Sequence, residues 1–168
     1  MPCACQLPFE LYPDAAEWGP ILWTLLHGLA ERSGKPVVPM YAEDERRAWL
    51  HFFKQTGEII PCPACKEHYN KYLEHHPIDA LKTLPLSKLN DWVRTWFWEV
   101  HEWVNDTLGK PPFPKSDLTA KYGTVNLRKY FPTLEKPMSL AIMLSGHQNK
   151  KFMEWKGRYM MLLSILGL

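Results

Sequence analysis

Apolar residues recur along most of this chain at intervals of three and four, the period of a helix with one buried face. Trp18, Leu22, Leu25 and Leu29 make one such stripe, with Gly19, Trp23, Leu26 and His27 on a neighbouring one. Asp14 precedes them and Gly34 and Pro36 follow, so the pattern predicts a first helix over 15–33 whose free amides are capped by the Asp14 side chain. A second is expected over 43–58, where Trp49, Phe52, Phe53 and Thr56 share a side. A third runs over 62–75 and stops at Pro77. A fourth opens at Ser87 and reaches Leu108 behind a broad apolar band that includes Leu89, Val93, Trp96 and Val100. Gly109, Lys110, Pro111 and Pro112 then stop it.

Past residue 114 the periodicity weakens. Residues 116–122 read as a short fifth helix ended by Gly123, and 124–151 read as irregular, with Pro132 and Pro137 as breakers and a short helix near 138–145. Phe152, Trp155, Tyr159, Leu162, Leu163 and Leu166 then return to helical spacing, opposite Lys150, Lys151, Lys156 and Arg158. That terminal helix fits packing on the domain, a subunit interface or contact with a membrane surface. No strand pattern or internal repeat is found. The expected fold is all-α: a four-helix up-down bundle with a short fifth helix and a C-terminal helical extension. The expected organisation is an arm at 1–14, a domain at 15–123 and the extension at 124–168.

Length and charge narrow the classes. At 168 residues with 46% hydrophobic content, the chain has room for a real core. A net charge of +2 without a basic run gives no nucleic-acid footprint. Residues 1–14 hold neither a basic residue nor an apolar run, which argues against a signal or transit peptide and for a cytoplasmic protein. Eight tryptophans exceed what a core of this size needs, so some of these rings are candidates for lining a planar ligand.

The chemistry concentrates in sulfur. The four cysteines form two close pairs, Cys3 with Cys5 and Cys62 with Cys65. Cys62 stands where the third helix begins, near unsatisfied amides and the positive end of the helix dipole, which favour thiolate over thiol. Pro63 suits the first helical position, and Cys65 faces the same way as Tyr69. Two redox-active disulfides fit this pattern. A zinc site on Cys3, Cys5, Cys62 and Cys65, with His68 as a substitute ligand, also fits.

Three separated segments resemble the Erv/augmenter-of-liver-regeneration family of FAD-linked sulfhydryl oxidases, particularly its compact members from large DNA viruses. The first is Trp18-Gly19-Pro20-x-x-Trp23-x-x-Leu26-His27, similar to that family's first-helix motif. The second is Pro61-Cys62-Pro63-Ala64-Cys65-x-x-His68-Tyr69, which looks like its active-site motif. The third is His101-x-x-Val104-Asn105-x-x-Leu108-x-Lys110-Pro111-x-Phe113, which looks like its flavin-binding motif.

The resemblance implies an enzyme that oxidises protein dithiols, or a thioredoxin-like substrate, and passes the electrons through FAD to oxygen, giving hydrogen peroxide. It implies Cys62 as the interchange thiol and Cys65 as the thiol beside the flavin. It assigns cofactor contacts to Gly19, Pro20, Trp23, His27, His68, Tyr69, His101, Val104, Asn105, Leu108, Lys110 and Tyr122. It also implies a homodimer, and makes Cys3 and Cys5 candidates for a shuttle disulfide on a reaching arm. Two departures stand out: a structural disulfide of many relatives would match Glu74 and Trp98, and Glu102 replaces the Asn that usually follows the motif His.

Overall fold

A computed structural model describes residues 14–144 and 149–168, so Cys3 and Cys5 lie outside the described residues. Among these the fold is all-α, in seven α-helices. They are α1 (Ala15–Arg32), α2 (Ala42–Ile59), α3 (Pro63–His75), α4 (Leu86–Thr107), α5 (Leu118–Tyr122), α6 (Leu127–Leu144) and α7 (Asn149–Ile165), with short 3-10 turns before α2, α4 and α5. α1 packs against both α4 and α6, and α7 lies along α2. No helix among the described residues is long and apolar enough to cross a membrane.

The helix ends follow local chemistry. Asp14 Oδ1 accepts from Ala16 N at 2.9 Å, which caps α1. α4 starts at Leu86 behind Pro85 and has no side-chain cap, so Ser87 lies inside it. Its C-terminus is a Schellman turn: Gly109, at φ +66°, donates to Asp106 O and Lys110 N donates to Asn105 O at 2.9 Å. The connection after α1 is held by Glu45, fully buried, whose Oε1 accepts from Gly34 N at 2.6 Å and from Trp49 Nε1 at 3.0 Å.

Residues 127–144 depart from the irregular segment expected over 124–151. α6 runs through 18 residues with Pro132 and Pro137 inside it. An interior proline forfeits a backbone hydrogen bond and crowds the preceding turn. Here Pro132 is exposed and Pro137 half-buried, while Phe131, Leu134, Met138, Ala141 and Ile142 bury a continuous stripe against the core. Burial of five apolar side chains, each stabilising by roughly 1.5–3 kcal/mol for the larger ones, outweighs the lost bonds. α6 and α7 share one hydrophobic core with α1 to α4.

Polar links tie the small α5 to the long helices and so set Tyr122. Glu31 on α1 pairs with Arg94 on α4 at 2.6 Å, and Thr119 on α5 bonds both. Arg32 reaches Val125 O at 2.7 Å and Tyr122 O at 3.4 Å.

Candidate functional site: a cysteine pair at an aromatic cavity

α3 opens on the cysteine pair. Cys62 is its N-cap residue, Pro63 fills the first turn, and Cys62 Sγ accepts from Cys65 N at 3.3 Å. Both side chains are half-buried free thiols. The hydrogen bond from the Cys65 thiol pulls the Cys62 thiol down to about 6, helped by the Cys65 and Ala64 amides and by His68, against the opposing effect of burial. The same bond, followed by burial and the Cys62 charge, pushes the Cys65 thiol well up. One proton shared between the two sulfurs therefore sits on Cys65. Cys62 carries the reactive thiolate.

Cys65 lines a cavity of about 590 Å³ enclosed by α1, α3, α4, α5 and the end of α2; Cys62 is not part of its lining. α1 contributes Gly19, Pro20 and Trp23, and α3 contributes Tyr69 beside Cys65. α4 adds His101, Val104, Asn105 and its C-cap residue Leu108, and Lys110 and Tyr122, also expected from sequence, line it too. His27 and His68 are the two expected residues outside the lining. His27 is buried behind it, and His68 sits edge-on to Trp103 with ring centroids 5.7 Å apart. Among residues that sequence reasoning did not assign, Trp18, Thr56 and Lys121 also line the wall. Trp18 carried a signal, as the first residue of the α1 motif. Thr56 and Lys121 carried none.

Aromatic rings build one side of the cavity. Trp23 and His101 stack with centroids 4.1 Å apart and planes 7° from parallel. Behind them His27 Nε2 lies 2.9 Å from His101 Nδ1, and His27 stacks on Tyr122 at 4.7 Å. Burial, then the charges of His101 and Lys121, hold His27 well below the ordinary histidine value. Burial, then Lys121 and Lys110, lower His101 to about 4. Both imidazoles are neutral at pH 7.

Cations flank these rings. Lys110 and Lys121 both line the cavity, and Lys121 Nζ lies 4.8 Å from the Phe113 ring centre and 5.3 Å from that of Tyr122. Glu102 holds the loop that carries Lys110: its carboxylate accepts from Phe113 N at 3.0 and 3.1 Å and from Asn105 Nδ2 at 3.2 Å. The side chain that departs from the family pattern is thus committed to that loop. One buried donor in the lining, Trp18 Nε1, has no hydrogen-bond partner among the described residues. A flat aromatic wall, two lysines and an unpaired indole N–H suit a planar ligand with an anionic portion.

Among the described residues no group of three or more His, Cys, Asp or Glu converges as metal ligands.

Sequence comparison agrees with the site. The FAD-linked sulfhydryl oxidase ERV1 of Oryza sativa subsp. japonica is 30% identical over 110 residues, 66% of this chain and 51% of that protein. The mitochondrial FAD-linked sulfhydryl oxidase of Schizosaccharomyces pombe is 31% identical over 112 residues, 64% of this chain and 54% of that protein. The chain thus spans about half the length of these two relatives. A relative from Invertebrate iridescent virus 6 is 29% identical over 113 residues, 65% of this chain and 95% of its own length. No solved structure matches. The family model described as the Erv1 / Alr family matches residues 20–123, the stretch that holds the cysteine pair and most of the cavity wall, and this chain belongs to that family.

Proposed function

We propose that this chain is an FAD-dependent sulfhydryl oxidase that makes disulfides in protein thiols and passes the electrons to oxygen. One observation carries the reading: Cys65 lines the cavity, whereas Cys62 lies off the lining and holds the depressed thiol. A relay from substrate to a buried acceptor needs that division. The relatives named as FAD-linked sulfhydryl oxidases support the same class.

The cavity residues fit FAD. Trp23 and His101 offer a flat wall, Lys110 and Lys121 offer cations for a pyrophosphate, and Trp18 Nε1 offers an unused donor. The volume of about 590 Å³ falls inside the range of roughly 300–1,000 Å³ usual for ligand pockets. When bound, FAD supplies a two-electron acceptor that restores the cysteine disulfide and delivers the electrons to oxygen as hydrogen peroxide.

The protein's own residues carry the thiol chemistry. A substrate thiolate attacks Cys62 Sγ of the oxidised pair, the Cys62–Cys65 bond breaks, and Cys65 leaves and takes up a proton, which its raised pKa favours. A second substrate thiolate attacks the substrate sulfur of the mixed disulfide and expels Cys62, whose low pKa makes it a good leaving group. Two substrate thiols become one disulfide, the pair gains two electrons, one proton stays on Cys65 and one enters solvent. A homodimer and a shuttle role for Cys3 and Cys5 belong to the same proposal and rest on the family likeness.

The test is a flavin spectrum with oxygen uptake in the presence of dithiothreitol. Purified protein should be yellow and consume oxygen. Colourless protein that takes up no added FAD refutes the reading. Cys65→Ser should keep the flavin and lose turnover, and retained oxidase activity would contradict its role.

A further inference from the structure

The family match ends at residue 123, yet α7, which begins at Asn149, reaches the cavity wall. Trp155 is fully buried and stacks on Phe52 of α2 at 5.4 Å. Its Nε1 donates to Thr56 Oγ1 at 2.9 Å. Thr56 donates to Phe52 O at 2.8 Å, and it lines the cavity. Tyr69, buried and also in the lining, donates its hydroxyl to Phe53 O of α2 at 2.9 Å.

The Trp155–Thr56 bond lies among buried apolar side chains. An indole N–H left unpaired there would cost the full desolvation of the group, so the Trp155–Thr56 bond discriminates strongly between this arrangement and its neighbours. Thr56 has its one donor committed to Phe52 and an acceptor lone pair filled by Trp155, which holds its side chain in one rotamer. Tyr69, one helical turn from Cys65 on α3, is in turn restrained by α2.

We propose that Trp155 is a positioning residue of the ligand cavity: its indole N–H holds Thr56, and with it the part of the wall that α2 contributes. The ligand side of this inference rests on the FAD reading, whereas the bridge itself does not. The C-terminal helices would then shape the site as well as complete the core.

The test compares three single variants of the full chain. Trp155→Phe removes the donor and keeps an aromatic ring, Thr56→Val removes the acceptor at nearly equal volume, and Leu163→Ala perturbs the same helix two turns beyond Trp155, at a buried side chain outside the cavity lining. FAD dissociation constants, read by fluorescence titration of flavin-stripped protein, should weaken about fivefold in each of the first two, the effect of one hydrogen bond. The Trp155→Phe/Thr56→Val double variant should be no weaker than Thr56→Val alone. Leu163→Ala should stay within about twofold of wild type, although its melting temperature falls at least as far as that of Trp155→Phe. Equal weakening in Leu163→Ala, or additive effects in the double variant, would overturn the proposal. Wild-type protein that binds no FAD sinks the oxidase reading instead. Amide-type exchange of the Trp155 indole proton then decides the bridge: protection lost in Thr56→Val upholds it, and protection unchanged overturns it.

Discussion

His27 Nε2 lies 2.9 Å from His101 Nδ1 across 74 residues of sequence, and both rings are stacked on other aromatic side chains. Two neutral imidazoles this close, His27 buried and His101 half-buried, share one hydrogen, so each fixes the tautomer of the other.

A dependence of stability on pH follows from this pair. Both folded-state values lie below the ordinary 6.5, that of His101 at about 4, so the unfolded chain binds protons that the folded protein refuses. Stability should hold above pH 6.5 and fall as the pH drops from 6.5 towards 4, by up to about 1.4 kcal/mol per unit for each group. Urea midpoints between pH 7.5 and 4.5 measure it. The His27→Gln/His101→Gln variant should show a flatter fall, and parallel curves would refute the assignment.

Cys62 should alkylate as a thiolate at neutral pH. In reduced, flavin-free protein its rate with iodoacetamide should be half-maximal near pH 6, falling as the pH drops below that point. Cys65→Ala removes the largest cause of the depression and should move the midpoint up towards the ordinary thiol value of 9.0. An unmoved midpoint would mean that the helix amides alone set it.

Glu102 and Gly109 hold the loop that presents Lys110. Glu102→Ala leaves Phe113 N and Asn105 Nδ2 without their acceptor and should cost about 1–3 kcal/mol. Gly109→Ala meets no atom within 4 Å, so its cost should come from the positive φ alone, about 1 kcal/mol. Denaturant unfolding of each variant checks both values.

Lys110 and Lys121 should act on FAD chiefly through charge. Lys110→Ala/Lys121→Ala is expected to weaken binding by about tenfold or more at low ionic strength, with a smaller difference from wild type at high salt. Titrations at two salt concentrations provide the measurement, and a loss independent of salt would point to packing instead.

Much of this was legible in the chain. The first four helices and the fifth sit within one or two residues of their expected positions, because caps and apolar spacing act over a single turn. α6 was not legible, since Pro132 and Pro137 are locally unfavourable and only the stripe from Phe131 to Ile142, once buried, offsets them. Eleven expected residues, Cys65 included, do line the cavity, while His27 stands behind it through a bond no spacing announces.

The amino-acid order by itself determined the first five helices to within one or two residues of their ends, and the placing of Cys62 at the start of α3, since these depend on neighbours within four residues. Packing alone decided that Trp155 would touch Thr56, that Lys121 would join Lys110, and that two distant histidines would share a proton. Such contacts join residues far apart in the chain, and they become favourable only after the apolar faces between them have closed.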